Sequence, residues 1–404
     1  MKTKTRRLPF ESVALVLQGG GALGAYQGGV FEGLVEAGIE CDWAAGISIG
    51  AINAALIAGN EPAKRVERLH DFWDLVTAPP LLPPTAPWWA QPPDAGGTAG
   101  PFVPGLTELS RTALGWFEAS RAVLEGQRGF FVPRLPSPAF NAQTPPAELS
   151  YYDTAPLATT LDRLVDFDRI NHKNGLRLTV SAVNVANGNF ELFDSQRGPW
   201  AGRIRTAHVM ASGALPPGFA AVEIEGQHYW DGGLVSNTPL SVVLDEEPRR
   251  DTLAFQVDLW SARGEFPKDL IAQELRQKDI RFSSRTRAVT QQLERERHLR
   301  RLLREVLERL PAKQRLGDAW CREAHAQGSD KIFNVVHLIY QEKSWDTYQK
   351  DYEFSALSMR DHWASGLADI RRTLAHPDWL APPSELQTTV THDVHRESKG
   401  NGKR

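Results

Sequence analysis

Apolar residues in the first 260 positions come in short unbroken runs, separated by stretches with the spacing of helices. Val13-Ala14-Leu15-Val16-Leu17 has the length and composition of a buried strand, and Ala25 to Ala37 continues as a helix. Cys41-Asp42-Trp43-Ala44-Ala45 reads as a second strand. Ala51 to Ile57 then reads as a helix of small residues that can lie close on a sheet. The rhythm resumes at Leu176 to Val185 and Thr252 to Leu259, both of strand character. Ala221 to Ile224 and His228 to Trp230 read as two short strands around a turn at Gly226. Strands that alternate with helices predict an α/β fold with a mostly parallel central sheet, covered by helices on both faces.

Two regions depart from that rhythm. Residues 76–150 carry Pro79-Pro80-Leu81-Leu82-Pro83-Pro84, Trp88-Trp89, Pro92-Pro93 and Gly96-Gly97, which no regular element tolerates. Phe102, Trp116, Phe117, Phe130 and Phe131 add apolar bulk, which argues against simple disorder. Such an insertion fits a cap over a ligand site, with Trp88 and Trp89 reaching a lipid interface, and equally fits a loop packed on the surface. From about residue 262 the character changes again. Residues 288–310 are expected as a charged amphipathic helix, with Leu299, Leu303, Val306 and Leu310 on one stripe and Arg297, Arg300, Arg301 and Arg304 on another. A basic stripe can meet anionic lipid, but the interleaved Glu294, Glu296, Glu305 and Glu308 favour a solvated, salt-bridged face. Lys331 to Tyr340 reads as one more strand and Trp345 to Leu374 as a closing helix. The expected organisation is a domain over 1–261 containing the insertion, a mainly helical C-terminal extension over 262–382, and a polar, disordered tail over 383–404.

Chemistry enters through three glycine-bearing motifs. In Gly46-Ile47-Ser48-Ile49-Gly50 a serine stands between glycines two residues away on either side, as a sharp strand-to-helix turn requires if the hydroxyl is to stand exposed. One βα unit earlier lies Gly19-Gly20-Gly21-Ala22-Leu23-Gly24, whose free backbone N–H groups at a helix start can hold a developing negative charge. Much later, Asp231-Gly232-Gly233 ends the second short strand, where a desolvated aspartate could take the proton of the Ser48 hydroxyl. A nucleophile, an anion hole and a base point to acyl transfer. Each motif alone has a plainer reading. G-x-S-x-G is short enough to arise by chance, and Asp-Gly is most often a turn. Gly19-x-Gly21-x-x-Gly24 is also the dinucleotide fingerprint, with Asp42 about where a ribose-binding acid belongs. A nicotinamide-dependent oxidoreductase is therefore the rival reading, although it gives Ser48 no role. A catalytically silent lipid-binding protein is the other.

Taken in order, the three motifs resemble the patatin-like phospholipase family. A fourth stretch, Ala211-Ser212-Gly213-Ala214-Leu215-Pro216, is similar to the family's segment before its catalytic aspartate. The resemblance covers roughly residues 12–260 and implies a three-layer α/β/α fold. It also implies a Ser–Asp dyad of Ser48 and Asp231, an oxyanion loop over Gly19–Gly24 with donors at Gly20 and Gly21, and hydrolysis of lipid acyl esters. Neither a metal nor an organic cofactor is implied. One position departs from the pattern: many members carry Arg or Lys where this chain has Leu23. The tail resembles the C-terminal extension of some bacterial patatin-like proteins.

Composition limits the alternatives. The 404 residues, 41% hydrophobic with a formal net charge of −3, suit a soluble globular protein and carry no basic balance that would suggest nucleic acid. Cys41 and Cys321 are too few for a disulfide framework or a cysteine zinc site. Of the 11 histidines, His208 and His228 lie nearest the later motifs, and His298, His325, His337 and His362 follow Asp231. A structural or exposed role is expected for each, and the dyad needs none. His392-Asp393-x-His395 is a weak metal pattern that a floppy tail could not hold in fixed geometry. Lys2, Lys4, Arg6 and Arg7 precede an apolar run that stops at Gln18, which is not the layout of a secretory signal. The expectation is a cytoplasmic protein, with peripheral membrane contact as a further option.

Overall fold

The computed structural model describes residues 6–77, 106–136, 138, 144–284, 286–383 and 389–397. β1 (Ser12–Leu17) leads through the glycine loop into α1 (Ala25–Glu36), and β2 (Trp43–Gly46) leads into α2 (Ile49–Ala58) and α3 (Arg65–Val76). Next come α4 (Leu106–Glu125), the small ribbon β3 (Val132–Pro133) and β4 (Tyr152–Asp153), α5 (Ala155–Leu164) and α6 (Phe167–Asn171). The sheet continues with β5 (Arg177–Asn184) and β6 (Phe190–Asp194), followed by α7 (Thr206–Ser212). The hairpin β7 (Val222–Ile224) and β8 (Gln227–Asp231) precedes α8 (Leu240–Leu244) and β9 (Thr252–Asp258). The C-terminal region holds α9 (Leu270–Phe282), α10 (Thr286–Glu308), α11 (Ala312–Gly317) and α12 (Ala319–Gln327). It ends with β10 (Phe333–Ile339), α13 (Ala356–Leu374), β11 (Thr389–His392) and α14 (Val394–Glu397).

Among the described residues the main sheet has nine strands in the order β11-β10-β9-β1-β2-β5-β8-β7, with β6 also pairing β5. From β11 to β5 every pairing is parallel, and β6, β8 and β7 join antiparallel. The central strands are buried along their whole length, which is why they read as unbroken apolar runs. Alternate residues serve the two faces. Leu15 and Leu17 of β1 pack with α1 and α2 in the larger core, while Ala14 and Val16 meet Leu240 and Val243 of α8 on the other side. Helices on both faces make the mostly parallel α/β architecture that the strand-helix alternation predicts. Among the described residues no helix is long and apolar enough to cross a membrane.

Four expectations are revised. First, the region 76–150 is not irregular throughout. Trp88, Trp89 and the proline-rich stretch lie outside the described residues, but Leu106–Glu125 is a helix of 20 residues. No proline occurs between Pro104 and Pro133, and the helix stops at Gly126 in the left-handed conformation, φ +83°. Second, the segment from 262 onward is mainly helical and the strand expected over Lys331 to Tyr340 forms as β10, but β10 and β11 extend the central sheet in parallel instead of standing apart from it. In addition, α13 lies on α1, where Tyr26 Oη donates to Asp369 at 2.8 Å. Third, part of the tail expected to be disordered forms β11 and α14, since Val390 and its neighbours complete the β10 edge. Fourth, α10 is turned about its axis relative to the expected stripe. Leu299 and Val306 face outward, Leu307 is buried, and the stems of Arg297 and Arg300 lie half-buried against the body. The Arg297 guanidinium sits over the Phe333 ring at 4.9 Å, an apolar stem with a polar head, which a hydrophobicity count alone assigns to water.

Candidate active site

The geometry begins at the end of β2. Ser48 adopts φ 56°, ψ −126°, a left-handed conformation that costs a serine about 1–3 kcal/mol and holds its side chain clear of the sheet. Both flanking glycines are steric necessities. A Cβ on Gly46 would come within 2.2 Å of the Gly50 carbonyl oxygen, and one on Gly50 within 2.3 Å of that of Leu17. Ile47 and Ile49 are buried and anchor the turn in the core.

Strand register delivers Asp231. Gly46 pairs Val180 of β5, and β6 occupies the outer edge of β5, with Glu191 opposite Ala182. A strand has two edges, so β8, which sets Asp231 opposite Ala182, must use the edge that β2 vacates after Gly46. Two residues past Gly46 on one chain is Ser48, and two past Val180 on the other is the Asp231 pair. Ser48 and Asp231 line one cavity, with the Ser48 hydroxyl near enough to the Asp231 carboxyl to draw its pKa down. Asp231 is 2% exposed. Burial pushes its carboxyl up to about 7, against the opposing pull of the Gly233 N–H and the Ser48 hydroxyl. The Gly233 N–H donates to Asp231 Oδ1 at 2.7 Å and fixes the rotamer. Gly232 packs against Ser181 O, where a Cβ would fall at 2.7 Å.

The segment Ala211 to Pro216 ties the two together. Ser48 N donates to Ser212 O and to Ser212 Oγ, each at 3.1 Å, and Ser212 Oγ donates onward to Ser181 O at 2.6 Å. Asp231 N donates to Ala214 O at 3.0 Å. One loop therefore holds the backbones of both partners.

The glycine loop lies on the same wall. Its amides are unequal. Gly19 N donates to Asn237 O at 3.2 Å, Ala22 N to Asp351 O at 2.7 Å, and Leu23 N to Gly20 O at 3.2 Å. Gly24 closes the single 3₁₀ turn that leads into α1. Among the described residues the N–H groups of Gly20 and Gly21 have no backbone or side-chain acceptor. Gly21, at φ +56°, is pressed so closely under the Asp351 carbonyl that a Cβ would lie 2.0 Å from its oxygen. Leu23, the departure from the family pattern, is fully buried.

These groups open on a cavity of about 360 Å³. Its floor is Ser48, Asp231 and the three leading glycines, and its walls are mostly apolar: Ile52, Phe130, Phe131, Tyr152, Leu215, Phe219, Tyr352 and Phe354. The aromatic rings pack edge to face, with Phe130 and Phe354 centroids 5.8 Å apart. Phe130 and Phe131, from the insertion, belong to this wall. So do Phe282, Asp351, Tyr352 and Phe354 of the C-terminal region, together with Asn237 and Trp260. Sequence reading singled out none of the latter six for the site, since their partners lie hundreds of residues away and no local pattern marks them.

The histidines are elsewhere. His208 is buried between Phe193 and Trp200 on α7, and burial lowers its pKa to about 4. His337 pairs with Asp258 at 2.7 Å, and His362 is buried against Tyr340. Among the described residues no histidine lines the cavity. His392 stacks on Trp379 while His395 meets Asp369 at 3.1 Å, so the two diverge. Asp42, the acid of the dinucleotide reading, precedes β2 and accepts from Ser12 Oγ and Val13 N at the start of β1. It therefore stands at the opposite end of the sheet from the glycine loop that ends β1, where it cannot reach a nucleotide bound there.

The family described as patatin-like phospholipase matches residues 15–244, more than half of the chain, and a region described as patatin phospholipase matches residues 280–386. A lysophospholipase, nte1 of Aspergillus terreus, is 58% identical over 53 residues, 13% of this chain and 4% of that protein. The chain thus spans a small fraction of that relative's length. Similarity to the crystal structure of VipD from Legionella pneumophila, at 14% identity and TM-score 0.33 over 90% of this chain and 71% of the other, is too distant to argue from. The family match across the region that contains the glycine loop, the serine turn and the distal aspartate settles one point: this chain belongs to the patatin-like phospholipase family.

Proposed function

We propose that the chain is a serine acyl hydrolase that cleaves acyl esters of lipids through Ser48 and Asp231. The observation that carries this reading is a strained serine beside a buried aspartate, titrating at about 7, on the floor of an apolar cavity. Ser48 Oγ attacks the acyl carbonyl while its proton passes to Asp231, and the carbonyl π electrons move onto the oxygen. The Gly20 and Gly21 N–H groups receive that oxyanion. Collapse of the tetrahedral intermediate expels the alcohol, which takes the proton from Asp231 and leaves an acyl-serine. Water, deprotonated by Asp231, then attacks the acyl carbonyl, and the acid departs as Ser48 regains its proton. A base near neutrality suits both directions of that transfer, which an ordinary aspartate at about 3.9 would not.

The aromatic walls supply a dry place for a hydrocarbon chain. Exposed Val123 and Leu215 at the cavity, and Leu234 and Val235 just after Gly233, support approach to a lipid surface and so peripheral membrane contact. Fluorophosphonate labelling of the wild type beside Ser48→Ala and Asp231→Asn tests the assignment. Expected is covalent labelling of the wild type, none of Ser48→Ala, and slow labelling of Asp231→Asn. Wild-type labelling of Ser48→Ala would remove Ser48 from the chemistry.

A further inference from the structure

The carbonyl of Gly19 is held by two side chains that neither motif contains. Trp260 Nε1 donates to Gly19 O at 2.9 Å and Asn237 Nδ2 donates to the same oxygen at 3.1 Å. Asn237 Nδ2 also donates to Phe282 O at 2.8 Å. Two carbonyls facing one end of this amide identify that end as the nitrogen, since the reversed group would set oxygen against oxygen. The main-chain oxygen of Asn237 accepts the Gly19 N–H, so this residue holds the peptide groups on both sides of the Gly19 Cα. Trp260 is itself fixed: its N–H and that of Leu259 both donate to Gln18 Oε1, at 3.0 and 2.6 Å, and its ring lies tilted on Phe282 at 5.4 Å.

The consequence follows from peptide geometry. The Gly19–Gly20 amide is planar and trans, so fixing its C=O fixes the Gly20 N–H on the opposite side. That N–H has no acceptor among the described residues, and Gly20 lies on the cavity wall beside Ser48. A glycine peptide flanked by glycines is otherwise among the easiest in a protein to rotate. We propose that Asn237 and Trp260 are positioning residues that aim the Gly20 N–H at the oxyanion, and that Phe282 O, through Asn237, makes the C-terminal region part of that aim. The proposal rests on the reading of the site as a serine hydrolase. It assigns work to Trp260, which lies in neither matched region, and to a contact between the two regions.

The test uses the full chain with Trp260→Phe, Asn237→Ala and the double variant, assayed on a short soluble ester such as p-nitrophenyl butyrate. Either donor alone still restrains the peptide, so each single change is expected to lower kcat about fivefold. The double variant is expected to approach the loss of one oxyanion donor, about 100-fold, with KM within about threefold of the wild type. A merely structural role would weaken all ligands alike. Here affinity for a trifluoromethyl ketone, which becomes tetrahedral on Ser48, should fall with kcat, while affinity for the matching unreactive amide stays constant. A double variant with near wild-type kcat, or equal weakening of both ligands, would overturn the clamp. If the double variant does not fold, Trp260→Phe decides alone, because it keeps an aromatic ring at the position and removes the N–H donor: unchanged kcat and ketone affinity would refute the proposal. Failure of the underlying reading looks different, because the wild type would then show no Ser48-dependent turnover at all, and the clamp would fall with it.

Discussion

The glycine loop and serine turn differ from the C-terminal region in how their geometry is encoded. In the first, contiguous residues specify the shape: Gly46 and Gly50 are the residues that a close backbone crossing allows, and Ser48 takes the strained conformation between them. In the second, nothing contiguous marks Asp351 or Phe354, yet Asp351 O holds Ala22 N at 2.7 Å and Phe354 closes the aromatic wall. Short-range steric demand leaves a sequence motif, whereas long-range packing leaves only hydrophobicity. Chemistry can therefore be read from the first region and substrate fit from the second only after folding.

The largest effect expected to test this division lies at Asp231. Asp231→Asn should lower kcat/KM about 1,000-fold, within the range for loss of a general base. In the wild type, kcat/KM should rise with pH along a limb near 7 rather than near 4. The stability sign is the reverse. The folded carboxyl titrates higher than the unfolded one, so the native state holds the extra proton and wild-type stability falls between about pH 4 and pH 7. The asparagine variant avoids that loss. It should be more resistant to urea at pH 8 by up to about 4 kcal/mol, with little gain at pH 4. A variant equally stable relative to wild type at both pH values would show that the carboxyl is not desolvated in the fold.

Next is the turn itself. Gly46→Ala should destabilise by about 3 kcal/mol, because the neighbouring atom is rigid backbone at 2.2 Å and no side chain can yield. Activity should fall about 100-fold, as expected when reacting groups shift by about an ångström. Urea unfolding and ester turnover report the two. Near wild-type behaviour would mean that the motif spacing is tolerated rather than required.

On the other side of the comparison, Lys350 pins the strap that carries Asp351. Its side chain is 4% exposed and its ammonium meets Asp279 of α9 at 2.9 Å. Lys350→Met strands a buried carboxylate and should cost about 3 kcal/mol, while Lys350→Met with Asp279→Leu should recover most of it. A fewfold fall in kcat should accompany the single change if the grip on Ala22 loosens. Full activity in a destabilised variant would separate the strap from the glycine loop.

These residues also show what the chain disclosed and what it withheld. Strands β1 and β2 were legible because both faces are buried, Ser48 because glycines flank it, and Asp231 because two glycines follow it. Strand β6 escaped notice: Phe190-Glu191-Leu192-Phe193-Asp194 is a short run between turns whose role depends on an open edge of β5. The outward leucines of α10 misled because arginine stems replace them against the body. Asn237 carried no signal, since its partner Gly19 is 218 residues away.

The smallest expected effect is the most discriminating for the C-terminal region. Phe354→Leu keeps the position apolar and should cost less than about 1.5 kcal/mol of stability. It removes the ring that meets Phe130 edge to face and shortens the wall on which a bound chain would lie. A loss of one or two methylene contacts is worth roughly 1–2 kcal/mol, so kcat/KM for an octanoyl ester should fall about tenfold relative to an acetyl ester. The acetyl ester, with no chain to lay along that wall, serves as the internal control. Unequal effects would make the extension a determinant of acyl selectivity. Equal effects on both esters would reduce Phe354 to core packing and leave selectivity to Phe130 and Phe131 of the insertion.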